Sequence, residues 1–178
     1  MKIKFKSAGL ITILSIIFAS HVFSQYKIEL KITGMDKDTV LFGHYFDESL
    51  SLKDTFFIND GHAVIEGKKD LPGGMYTLYF PDAKRLDLLV DKDQEFTIST
   101  NPVDFLGQTS FKGSEQNTKF YNYLAFLSKK RNDIRPLQQK LQATENEKDS
   151  VALIDEINKI NREVKNYVDQ VIEDNKGT

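Results

Sequence analysis

Several groups of residues in this chain have side chains that could do chemistry, and each lacks the spacing that its chemistry requires. His44 and His62 could join Asp47 or Asp60 around a metal ion. They come from separate predicted strands, however, and structural zinc takes four ligands, so surface or hydrogen-bonded imidazoles are the favoured reading. Asp91, Asp93 and Glu95 imitate the opening of a calcium loop, but Phe96 stands where that loop needs glycine and Pro102 where it needs its bidentate acid. A solvated turn is expected there. Gly67-Lys68-Lys69 lacks the upstream glycine and downstream hydroxyl of a phosphate loop. Lys129-Lys130-Arg131 could meet an anionic lipid or an acidic partner, although so short a block reads first as a solvated helix face. The chain has no cysteine, and no nucleophile sits beside a base. No catalytic residue, metal or cofactor is therefore predicted, and the chain reads as a non-enzyme.

The first residues resemble a secretory leader: Lys2, Lys4 and Lys6, an apolar run from Ala8 to Ala19, and a small-residue site ending at Ser24. The apolar run is shorter than the ~20 residues of a membrane span, so cleavage near Ser24 and a periplasmic or secreted location without a membrane span are expected. No cysteine follows the leader to carry a lipid anchor. Removing residues 1–24 leaves 21 basic against 26 acidic side chains, and a mildly acidic surface argues against nucleic acid as a partner. Without disulfides, packing alone must hold the fold.

From Tyr26 to Lys112 apolar and polar residues alternate in short runs; from Ser114 onward they recur at helical spacing. Strands are predicted at 26–33, 39–46, 52–58, 62–66, 75–80, 86–90, 95–100 and 109–111. The connections are too short for crossover helices, so an antiparallel β-sandwich or open barrel over residues 25–113 is expected, followed by an α-helical hairpin over 114–178, an α+β fold. Ile28, Leu30 and Ile32 should face a core while Lys27, Glu29 and Lys31 face water. Asn59-Asp60-Gly61 is a tight hairpin signal, and Pro72-Gly73-Gly74 another turn.

Ser114 is a predicted N-cap, with Glu115 favoured by the helix dipole in the first turn. Phe120, Tyr123, Leu124 and Leu127 form an apolar stripe that resumes at Ile134, Leu137 and Leu141. Pro136 should kink or restart the helix near Arg135, and Thr144–Lys148 should turn the chain. In the second helix Leu153, Ile157, Ile160, Val164, Tyr167 and Val171 follow an a/d pattern. Because ordering each residue costs ~1–2 kcal/mol, a two-helix hairpin alone is marginal. It should dock on the sheet, on a second copy, or on another domain.

The chain has 13 Phe and 7 Tyr but no Trp. Phe46, Tyr76, Tyr79 and Phe80 fall on predicted strands, where packing is the expected role for at least half of them. Exposed rings could also stack a sugar. The adjacent Phe56 and Phe57 must face opposite ways on a regular strand, which marks them as an interface candidate. Phe120, Tyr123, Leu153, Ile157 and Val164 are the interface candidates of the helical segment.

Gly43-His44-Tyr45-Phe46-Asp47, Leu71-Pro72-Gly73-Gly74-Met75-Tyr76 and Phe111-Lys112-Gly113-Ser114-Glu115-Gln116-Asn117, with Phe120-Tyr121 and Tyr123-Leu124 beyond, carry a family likeness. Together they resemble the N-terminal accessory domain, a domain of unknown function, of exported TlpA/AhpC-TSA-like thiol:disulfide interchange proteins of Gram-negative bacteria. In that family a thioredoxin-like domain bearing Cys-x-x-Cys follows the helices. With no cysteine here, no residue can inherit thiol exchange. The resemblance implies a non-catalytic accessory, docking or dimerisation module that partners a thioredoxin-like domain in cis or in trans, with a homodimer through the helices also possible. The alternative is a standalone envelope module that binds a glycan or a peptide.

Overall fold

The computed structural model describes residues 25–46 and 49–176. The leader, its cleavage site at Ser24 and the candidate ligand Asp47 lie outside the described residues. The eight strands are β1 (Tyr26–Ile32), β2 (Lys37–Phe46), β3 (Ser49–Asn59), β4 (His62–Gly67), β5 (Gly74–Tyr79), β6 (Arg85–Val90), β7 (Glu95–Thr100) and β8 (Ser110–Lys112). They match the predicted strands with shifted ends. The helices are a four-residue α1 (Phe105–Gln108), α2 (Glu115–Ala143) and α3 (Glu147–Asp174).

The strands form one curled, eight-stranded sheet in the order β6-β5-β2-β3-β4-β1-β7-β8, the open-barrel form of the expected architecture. One pairing differs from an all-antiparallel sheet: β1 and β7 run parallel, from Lys27↔Glu95 to Ile32↔Thr100. The physical reason is sequence distance. A parallel pair needs a long crossover, and here the whole stretch from β2 to β6 serves as that crossover. The strands β3 and β4 pair only at Asn59↔His62, next to the turn that joins them. The turn there takes positive φ at Asp60 (48°) and Gly61 (72°), as a two-residue hairpin requires. A Cβ on Gly61 would also lie 2.6 Å from the Ile32 carbonyl oxygen.

Ile28, Leu30 and Ile32 are buried as expected, and they join Val40, Phe42, Ile58, Ile65, Tyr76, Leu78, Leu88 and Ile98 in one core. Phe42 and Tyr76 stack at 5.1 Å. On the outer face Lys27 pairs with Glu29 at 2.7 Å. Asp104 caps α1 by accepting from Gly107 N at 2.9 Å, a short helix that strand periodicity did not signal. It sets Phe105 5.0 Å from Phe80.

Ser114 caps α2, its hydroxyl accepting from Asn117 N, with Glu115 in the first turn. Contrary to the expectation at Pro136, α2 does not restart near Arg135 but runs through to Ala143. Proline removes one backbone hydrogen bond, and the helical turns on either side of Pro136 continue across that single gap. The inter-helix turn is shorter than expected, because Asn146 already caps α3 by accepting from Lys148 N at 2.9 Å and Asp149 N at 3.3 Å. The two helices lie along each other as a hairpin arm. Tyr167 meets Phe126 at 4.0 Å and Tyr123 at 6.3 Å, and Lys130 pairs with Glu163 at 2.5 Å. Among the described residues no helix is long and apolar enough to cross a membrane.

Candidate functional site

The structure disperses the residues that looked chemical. His44 sits on β2 with its ring 4.7 Å from Tyr76, while His62 sits on β4. Among the described residues no three His, Cys, Asp or Glu side chains gather as a metal site. The turn of Asp91 and Asp93 is built by Gln94, whose amide donates to Asp91 O at 2.7 Å and to Leu71 O at 3.2 Å and accepts from Leu71 N at 3.0 Å. Lys68 and Lys69 are exposed past the end of β4. Lys130 is taken up by Glu163, whose carboxyl it holds below the usual carboxylate range by hydrogen bonding and charge.

The arrangement that stands out is the root of the arm. Asn117 and Tyr121 are the buried residues of α2, and α3 has none. Asn117 is fully buried against β6, the edge of the sheet. Its side-chain oxygen accepts from Leu89 N at 2.7 Å and its amide nitrogen donates to Leu89 O at 2.7 Å, so one side chain occupies both main-chain groups as a neighbouring strand would. The same amide donates to Ser114 Oγ at 3.0 Å. One turn on, Tyr121 donates from its hydroxyl to Asp87 O at 3.1 Å. Burial, and then the charge of Asp87, push the Tyr121 phenol far above its ordinary value. Gly113 precedes the cap at φ 91°, where a Cβ would sit 3.1 Å from the Glu95 carbonyl oxygen. These contacts occupy Leu89 N, Leu89 O and Asp87 O of an edge strand, main-chain groups of the kind that leave an edge open to pairing, and they fix the start of the arm on the sheet.

Beside this root lies a groove of about 860 Å³ between β6 and the two helices. Phe120, Tyr123, Tyr167, Val171, Ile172 and Leu89 supply its apolar walls, with Gln116, Asn122, Gln170 and Asn175 among its polar lining residues. Lys119 and Lys176, also on the lining, are ion-paired with Glu115 and Glu173.

The predicted interface residues fall in three places. Phe120 and Tyr123 line the groove. Leu153, Ile157 and Val164 are half-buried along α3. Phe56 packs on the core, edge-on to Phe42 at 6.4 Å, whereas Phe57 is 71% exposed. Sequence reasoning missed the roles of Asn117 and Tyr121. The available signal was an amide three residues after the capping Ser114, at a helical position that must face the sheet.

A search of curated proteins and a search of solved structures each found no match. Residues 26–120, more than half of the 178-residue chain, match the family model Domain of unknown function (DUF4369). The matched span holds every strand of the described residues together with Ser114 and Asn117 at the root of the arm, and the chain belongs to that family.

Proposed function

We propose that this chain is an exported, non-catalytic accessory module whose sheet carries a helical arm for assembly with a thioredoxin-like thiol:disulfide oxidoreductase. The observation that carries this reading is the mismatch along α2. Its first turns are clamped to the sheet edge by Asn117 and Tyr121, yet beyond Tyr121 neither helix holds a buried residue. A hairpin held so firmly at one end and so sparsely packed elsewhere suits a docking element, since most helical stability comes from packing an apolar face. The absence of cysteine means that any disulfide chemistry belongs to the partner. The reading is tested by isolating the native assembly from the cell envelope and weighing its components. A Cys-x-x-Cys thioredoxin-like chain or continuous domain, in stoichiometric amount, is the expected result; its absence overturns the reading.

The groove supports a second reading, a standalone module for a glycan or peptide, because its size and aromatic walls are those of a small-ligand site. A glycan array and a peptide library probed with the full chain distinguish the two. Binding without any redoxin, lost in Tyr123→Ala, favours this second reading.

A further inference from the structure

The charges of the arm are banded along its length. Its middle, residues 125–134 of α2 and 159–168 of α3, holds six cations against two acids; the tip, residues 135–158, holds three cations against five acids. Ion pairing within the chain does not erase the bands. Lys130 and Lys165 are paired with Glu163 and Asp169. Among the described residues, Lys129, Arg131 and Arg162 in the middle have no ion-pair partner, and neither do Glu145, Glu147, Asp149, Asp155 and Glu156 at the tip; Lys159 adds its charge near the paired Glu163. The same outer length carries exposed apolar side chains, Val151 at 54% and Ile154 at 43%. Ile134, Leu137, Leu141, Ile157 and Ile160 are only half-buried.

We infer that the occupant of this outer arm is a second copy of the chain, laid antiparallel so that each acidic tip rests on the other copy's basic middle. Two arguments select that geometry. A two-fold axis between middle and tip brings opposite charges together twice, whereas arms overlapped along their whole length place one basic middle on the other. The area also suffices. The outer two-thirds of the arm, about 28 Å long and about 20 Å wide, gives about 560 Å² per copy and about 1,100 Å² in all, against the ~1,000 Å² expected of a specific interface. The result is a short four-helix bundle in which the half-buried aliphatic residues leave water. The inference rests on the reading of the arm as the assembling element, but not on the thioredoxin-like partner.

Charge reversal tests it, using the full chain and mass measurement in solution across a concentration series. The middle variant is Arg131→Glu with Arg162→Glu, and the tip variant is Asp155→Lys with Glu156→Lys; all four positions are exposed. Each variant alone should raise the dimer dissociation constant at least about tenfold, because like charges then face each other. The two sets combined in one chain should restore the dimer. Arg131→Gln with Arg162→Gln should weaken it less, and helical content by circular dichroism checks that each variant folds. A wild type that stays monomeric, a dimer indifferent to both reversals, or a combined variant that fails to recover overturns the inference. If the chain is monomeric while the envelope assembly still contains the Cys-x-x-Cys partner, the inference fails and the accessory reading stands. If both the dimer and that partner are absent, both fail.

Discussion

The curled sheet and the helical arm consist of comparable lengths of chain but bury them very differently. Seventeen of the eighteen buried hydrophobic residues described belong to the sheet and its connections, and the remaining one, Tyr121, sits at the root of the arm. A sheet that curls around one face can enclose side chains completely, and each enclosed aliphatic residue contributes roughly 1.5–3 kcal/mol. Two helices meet along a single line, so the seam stays wet on both sides. The sheet therefore holds most of the enclosed apolar surface, while the apolar side chains of the arm stay half-buried or exposed.

Substitutions can break this contrast, and the largest effect is expected in the sheet. Phe42→Ala removes a ring stacked on Tyr76 in the closed core and should cost ~3–5 kcal/mol in chemical denaturation. Ile157→Ala on the half-buried seam should cost less than about half as much; equal losses would show that the arm is as tightly packed as the sheet. Asn117→Ala lies at the boundary. It strands Leu89 N and Leu89 O, and at ~1–3 kcal/mol for a buried polar group left unpaired it should destabilise by about 2–3 kcal/mol. Hydrogen exchange of the Leu89 amide should accelerate with it, and an unchanged rate would remove Asn117 as the clamp.

Alkali provides a finer probe. The phenols of Tyr121, and of Tyr76 at about 12, are raised chiefly by burial, so the neutral forms belong to the folded state. Their contribution is complete below the unfolded tyrosine value of about 10 and is lost as the pH rises through and above it. Thermal melts from neutral pH to 11 should show the midpoint falling above about 10. Tyr121→Phe should flatten that fall in part, leaving the share due to Tyr76 and to Tyr26, whose phenol is also raised by burial. The smallest effect is expected at Lys130→Ala, which removes an ion pair with the 44%-exposed Glu163. A change of ~0–1 kcal/mol is expected, visible only as a small shift in the denaturation midpoint.

The strands could be read in the sequence because alternation such as that of Ile28, Leu30 and Ile32 needs nothing beyond the two-residue period of a strand. Ser114 and Glu115 were legible for the same local reason: a cap and a first-turn acid act within one turn of the chain. The restart near Arg135 did not follow from Pro136, because a proline removes one backbone donor and one missing hydrogen bond need not end a helix of 29 residues. Nothing in the spacing could place β1 beside β7, since the Lys27↔Glu95 register depends on how far the intervening sheet curls. Asn117 was visible only as one amide among many. Its role exists because β6 is an edge strand, which is a property of the strand order.

By itself, the sequence determined the local periods, the change from strand to helix near Gly113-Ser114, the absence of thiols and the banded charge of the arm, because these depend on residue type and spacing alone. Only the tertiary structure decided that the sheet curls into one core, that Asn117 and Tyr121 clamp its edge, and that a groove opens beside Phe120 and Tyr123. Each of those brings together groups far apart in the chain, and which of them meet is settled by global packing, not by any local preference.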